Sequence, residues 1–279
     1  MVNLVSKIKK GSVSLSKQET TYQKVPPTKI RGKREIFRQA RNYKFWHFIA
    51  DRFFFTMLEN RFYSLKIKNK ENFDKRNKKY ATICYASHTN WWDGLIGYVL
   101  CRKVFKQPMN IMVEELNRFP ILSLVGAYSV DKSSAQGSMK ALKYSVDILK
   151  NPNKIIWIFP QGIITPPNSR PFNFQTGLAY IVQNAIKTHG GVNLCPVATN
   201  FTFLREDKPE IVVDIGEPVT LTSSSSDRHE LTRTIEEDFT AFCDSQLANI
   251  QKGLVDDYEY VFKQRLPWYK KFEKWLKRV

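Results

Sequence analysis

Apolar positions fall into short unbroken runs, separated by stretches in which they recur every three or four residues. The runs Tyr80–Ala86, Asn110–Val113, Ala127–Val130, Lys154–Phe159, Leu194–Phe203 and Ile211–Ile215 predict strands, with Tyr80–Ala86 and Lys154–Phe159 expected to be buried. Between them, Trp91–Val104 and Gly177–Thr188 predict helices. So does Ser134–Lys150, where Met139, Leu142, Val146 and Leu149 recur at steps of three and four. Ser225–Ile250 predicts a long helix behind a serine run able to cap it. No internal repeat is present. Strands alternating with helices predict an α/β fold: a mixed, mainly parallel sheet flanked by helices. This body spans residues 64–262.

The ends read differently. Residues 1–33 predict a flexible basic tail, broken near its end by Val25-Pro26-Pro27-Thr28. Residues 34–63 contain no Gly or Pro and predict one long helix or two short ones. This region is crowded with rings, among them Phe37, Tyr43, Phe45, Trp46, Phe48, Phe53, Phe54, Phe55, Phe62 and Tyr63. Arg34, Arg38, Arg41, Lys44, Arg52 and Arg61 are interleaved with them. Aromatic anchors and cations suit an N-terminal helical membrane-contact region, and they equally suit a helix packed on the core with solvated charges. Residues 263–279 predict a basic amphipathic helix with Trp268, Phe272, Trp275 and Val279 on one side. An anionic membrane surface and a docked capping helix are both open for it. No window of 18 uninterrupted apolar residues occurs, so no spanning helix is expected; the most apolar stretch, Phe45–Leu58, is interrupted by Asp51 and Arg52.

Charge sharpens this division. The 279 residues carry a net charge of +18. Residues 1–80 contribute +15, residues 81–262 contribute −3 and residues 263–279 contribute +6. A nearly neutral body with two basic ends argues against a uniformly basic nucleic-acid-binding fold and for an anionic partner met by the termini. The cysteines Cys84, Cys101, Cys195 and Cys243 are far apart, which suits a reducing interior better than a disulfide scaffold. The N-terminus lacks the apolar core of a secretory signal, while an organellar transit peptide stays open. The expected location is peripheral, on the cytoplasmic face of a membrane.

Of four histidines, His88 follows a predicted buried strand, where α/β folds place their sites. It stands five residues before Asp93. Within one helix that spacing sets two side chains roughly 140° apart. They meet if His88 lies in the loop and Asp93 in the first turn. An aspartate on one imidazole nitrogen fixes the tautomer and leaves the other nitrogen to take a proton from a hydroxyl. On spacing alone, a structural histidine is the more common outcome. No metal site is expected: His47, His189 and His229 lack partners at ligand spacing and H-E-x-x-H is absent. No G-x-S-x-G elbow occurs either.

The string His88-Thr89-Asn90-Trp91-Trp92-Asp93 resembles the first motif block of the phospholipid/glycerol acyltransferases, typified by 1-acylglycerol-3-phosphate acyltransferase. Gly126–Lys132 is similar to the second block, Phe159-Pro160-Gln161-Gly162 to the third and Leu194–Ala198 to the fourth, in the family's order over about residues 80–200. The resemblance implies O-acyl transfer in lipid metabolism, notably phospholipid biosynthesis. His88 would be the general base and Asp93 its partner. The implied co-substrate is acyl-CoA or acyl carrier protein, with no cofactor and no acyl-enzyme. Asn90, Lys132, Phe159, Pro160, Gln161 and Gly162 would bind the acceptor.

Departures bear on that acceptor. Where the family has Phe-Pro-Glu-Gly-Thr-Arg-Ser, this chain has Gln161 for Glu and Ile164 for Arg, and Lys132 replaces the second-block Arg. An isoleucine cannot grip phosphate. The expected acceptor is a membrane lipid hydroxyl, either on a lipid without a phosphate monoester, such as a glycolipid or glycosylated carotenoid, or on a lysophospholipid. Two rival readings are a nucleic-acid-binding protein using the basic aromatic N-terminus, which leaves the motif blocks unexplained, and a non-catalytic lipid-binding relative.

Overall fold

The strand β2 (Thr82–Ala86) is buried at every position and hydrogen-bonds in parallel to a strand on each side. That is why its sequence, Thr82 apart, is an apolar run rather than an alternating one. The computed structural model describes residues 36–114, 116–204, 206–264 and Trp275. The tail at 1–33 and nearly all of the expected C-terminal helix lie outside them.

Nine strands are described: β1 (Ser64–Lys68), β2, β3 (Met109–Glu114), β4 (Ala127–Val130), β5 (Ile155–Ile158), β6 (Val192–Thr202), β7 (Glu210–Ile215), β8 (Val219–Leu221) and β9 (Glu259–Lys263). They form one sheet in the order β4-β3-β5-β2-β6-β7-β1-β9, with β8 paired to β6. The block β4-β3-β5-β2-β6 is parallel, as is β1 with β7. The pairs β6–β7, β6–β8 and β1–β9 are antiparallel. The sheet is therefore mixed and mainly parallel, as the sequence pattern predicts.

Helices cover both faces. On one face lie α1 (Lys44–Arg61) and α2 (Asp93–Val99), the latter continuing as a short π-helix through Val104. They pack Leu58, Ile96, Val99 and Leu100 against Cys84, Trp157, Cys195 and Val213. On the other face, α3 (Ala135–Ile148), α4 (Gly177–His189) and α5 (Arg228–Gln251) pack Val146, Leu178, Val182 and Phe239 against Ile83, Ile156 and Leu194. Each fully buried aliphatic or aromatic side chain contributes about 1.5–3 kcal/mol.

Local signals explain the helix ends. Ser134 Oγ accepts the Gly137 N–H at 3.0 Å and caps α3. Gly190 takes the left-handed conformation that closes α4 beside His189. The cap of α5 is Asp227, whose carboxylate accepts the His229 N–H at 2.8 Å, rather than the serine run before it. The helix expected from residue 34 begins only at Lys44. Residues 36–43 are non-helical because β4 and its approach claim their backbone: Ser129 N donates to Arg38 O, and Arg41 N donates to Ser123 O. Within α1 the rings do not segregate to one side. Trp46, Phe54 and Phe55 pack on the core, while Phe45, Phe48 and Phe53 face outward beside Arg52.

Candidate active site

His88 is carried by the loop leaving β2, and Asp93 is the first residue of α2. The placement resolves the spacing problem, because the two side chains approach across a turn. His88 Nδ1 lies 3.0 Å from Asp93 Oδ2. The same oxygen accepts the N–H groups of Thr89 at 2.6 Å and Asn90 at 2.8 Å. A carboxylate at a helix N-terminus is favoured by the dipole, and here it also ties down the loop. Asp93 is 4% exposed, and its Oδ1 has no partner among the described residues. Nδ1–H is thereby donated to Asp93, and Nε2 is left without a hydrogen-bond partner among the described residues.

The position of α2 depends on a close approach. A Cβ on Gly97 would sit 2.7 Å from the Trp157 indole, so only glycine lets this helix lie so near β5. The parallel register, with Tyr85 opposite Ile158, brings the β2 and β5 chains out of the sheet side by side. Phe159 then stacks on the His88 ring with centroids 4.4 Å apart and planes 13° apart.

Three residues expected to bind the acceptor serve His88 or the protein interior. Phe159 supports the imidazole. Pro160 is buried and accepts Gln175 N–H on its carbonyl at 2.8 Å. Gln161 is 3% exposed; its Oε1 accepts the His88 N–H at 2.5 Å and its Nε2 donates to Thr165 Oγ1. Thr165 N in turn donates to His88 O at 2.9 Å. Gln161 and Thr165 therefore hold both backbone groups of His88. Asn90 is partly engaged as well, its Oδ1 accepting Trp92 N–H at 2.8 Å.

Lys132 and Gly162 do meet beside this loop. Lys132 Nζ donates to Gly162 O at 2.6 Å and pairs with Glu114 at 2.6 Å. The sequence reading missed Glu114 and Thr165. Glu114 ends β3, a strand end where a site residue is expected, and Thr165 keeps a hydroxyl where the family's third block has Ser. Arg170 is tied to Asp244 at 2.6 Å, and Ile163 and Ile164 are exposed. A crevice of about 20 Å³, room for roughly one water, lies beside Ser87 and Thr89.

His47 belongs to a different construction. It is buried, with Nδ1 2.9 Å from the Tyr98 hydroxyl and Nε2 3.0 Å from Asn42 Oδ1. Burial, and then the Arg102 guanidinium, push its pKa down to about 4. Arg102 and Tyr98 both bond Asp51 of α1, so this network fastens α1 to α2.

The model of the acyltransferase family matches residues 64–200. Among solved structures, the chain is similar to the 1-acyl-sn-glycerophosphate (LPA) acyltransferase PlsC from Thermotoga maritima, at 19% identity, over 72% of this chain and 79% of that one, with a TM-score of 0.51. At that identity the likeness bears on the fold. No curated protein matches the chain in sequence.

Proposed function

The chain belongs to the phospholipid/glycerol acyltransferase family, and on that premise we propose that it moves a fatty acyl group from a thioester to a membrane lipid hydroxyl. The observation that carries this reading is the His88–Asp93 pair, with Nε2 left to act as a base. His88 takes the proton of the acceptor hydroxyl. The oxygen attacks the thioester carbonyl, and the coenzyme A or carrier-protein thiolate leaves. Asp93 stabilises the imidazolium formed on the way. General-base assistance of this kind contributes about 10²–10⁴ in rate.

The acceptor we favour lacks a phosphate monoester, as on a glycolipid or a glycosylated carotenoid. Lys132, the second-block cation, is neutralised by Glu114. An exposed isoleucine, Ile164, stands where the family has a phosphate-gripping arginine. A peripheral position on the membrane completes the reading. Phe45, Phe48, Ile49 and Phe53 recur at three- and four-residue steps on the outward side of α1, with Arg52 among them. No helix among the described residues is long and apolar enough to cross a membrane. The test is an acceptor screen with labelled acyl thioester. Labelling of a glycolipid class above lysophosphatidate is expected, and equal or better turnover of lysophosphatidate overturns the acceptor assignment.

A further inference from the structure

The strands β3, β5, β2 and β6 are parallel neighbours, so the loops leaving their C-terminal ends emerge at one edge of the sheet. His88 is on one of these loops. The same loops carry Trp91 after β2, Phe119 and Ile121 after β3, Ile163 and Ile164 after β5, and Phe203 after β6. Each of these six side chains is between 51 and 67% exposed. Large apolar residues are exposed singly on most surfaces, but six on adjacent loops around one histidine call for a partner.

We propose that these loop tips form a second lipid-contacting surface, separate from α1, that sets the mouth of the His88 site against the bilayer. The inference rests on the acyltransferase reading for the source of the acceptor. A bilayer is the occupant these residues fit. They stand on separate loops, as wedges suited to a soft surface. The tip after β5 runs Ile163-Ile164-Thr165-Pro166-Pro167-Asn168-Ser169 without a charge. The Arg118 guanidinium lies 5.9 Å from the Phe119 ring centroid, the pairing of cation and ring found at headgroup depth.

The tip after β5 is also fixed relative to the catalytic base. On one side of Ile163–Ile164, Gly162 O accepts Lys132 Nζ; on the other, Thr165 N donates to His88 O. Insertion of the two isoleucines therefore sets the depth at which His88 meets an acceptor hydroxyl.

The experiment places single cysteines on the full chain by Ile164→Cys, Phe203→Cys, Phe48→Cys and Lys150→Cys. Lys150 is exposed at the end of α3, toward the opposite edge of the sheet. The four native cysteines are buried, so a polarity-sensitive fluorophore is directed to the introduced thiol. Each protein is mixed with phosphatidylcholine–phosphatidylglycerol vesicles whose acyl chains carry bromine. Quenching of about twofold or more at 164 and 203, with none at 150, is the expected result. Replacing Ile163 and Ile164 together by Ser should weaken vesicle partition about tenfold. Quenching at 48 alone overturns the proposal while leaving membrane attachment by α1 intact. No quenching at any site removes the membrane reading itself. Burial of the 164 and 203 labels in vesicle-free solution, through self-association, also overturns it.

Discussion

Gln161 Oε1 accepts the backbone N–H of His88 at 2.5 Å, joining positions 73 residues apart in sequence. With Thr165 on the His88 carbonyl, this contact makes the third motif block a brace for the first. Gln161→Ala leaves a half-buried N–H without its partner, so kcat should fall about 10- to 100-fold with the fold retained. Gln161→Glu keeps an acceptor for that N–H and should recover much of the loss. The kcat and KM of the three proteins check this.

His88→Ala removes the base and should lower acyl transfer by about 10²–10⁴. Asp93→Asn should cost less than His88→Ala, since the base stays while its tautomer and charge support are lost. Thermal unfolding of both variants should show that His88→Ala leaves the fold intact.

Glu114→Gln should change acceptor preference rather than overall turnover. The carboxylate engages Lys132 at 2.6 Å, and removing its charge frees a cation at the mouth. Relative kcat/KM for a phosphate-bearing acceptor over a neutral glycolipid should rise. An unchanged ratio would remove Glu114 from acceptor selection.

Gly97→Ala places a methyl 2.7 Å from the Trp157 ring. Overpacking of this kind costs about 1–3 kcal/mol. Because α2 carries Asp93 at its start, kcat should fall along with the unfolding midpoint in urea.

The His47 pKa is pushed down to about 4 from an ordinary 6.5, mainly by burial. The native state thus binds fewer protons than the unfolded chain below pH 6.5. Stability is fully present above that value and is lost as pH falls toward 4, by on the order of 3 kcal/mol. Urea unfolding across this range should show the slope, and His47→Gln should flatten it.

Most of the sheet was legible because buried parallel strands write themselves as apolar runs, and β2 through β7 all appear in the sequence. β1, β8 and β9 did not. The segment Ser-Leu-Lys-Ile-Lys of β1 looks like half-exposed alternation, yet Ser64 and Lys66 are buried by pairing with Glu210. β8 is three residues long, and β9 is an edge strand with exposed side chains.

The sequence by itself determined the α/β class, the order of the motif blocks, the His88 and Asp93 candidates and the neutral body between basic ends. These follow from local periodicity, spacing and composition. Tertiary structure decided which way each motif side chain points. It turned Gln161 inward onto His88, paired Lys132 with Glu114 and gathered six apolar side chains on four loops at one edge. Each of those outcomes depends on contacts between residues distant in the chain, set by parallel strand register, and no short stretch of sequence encodes them.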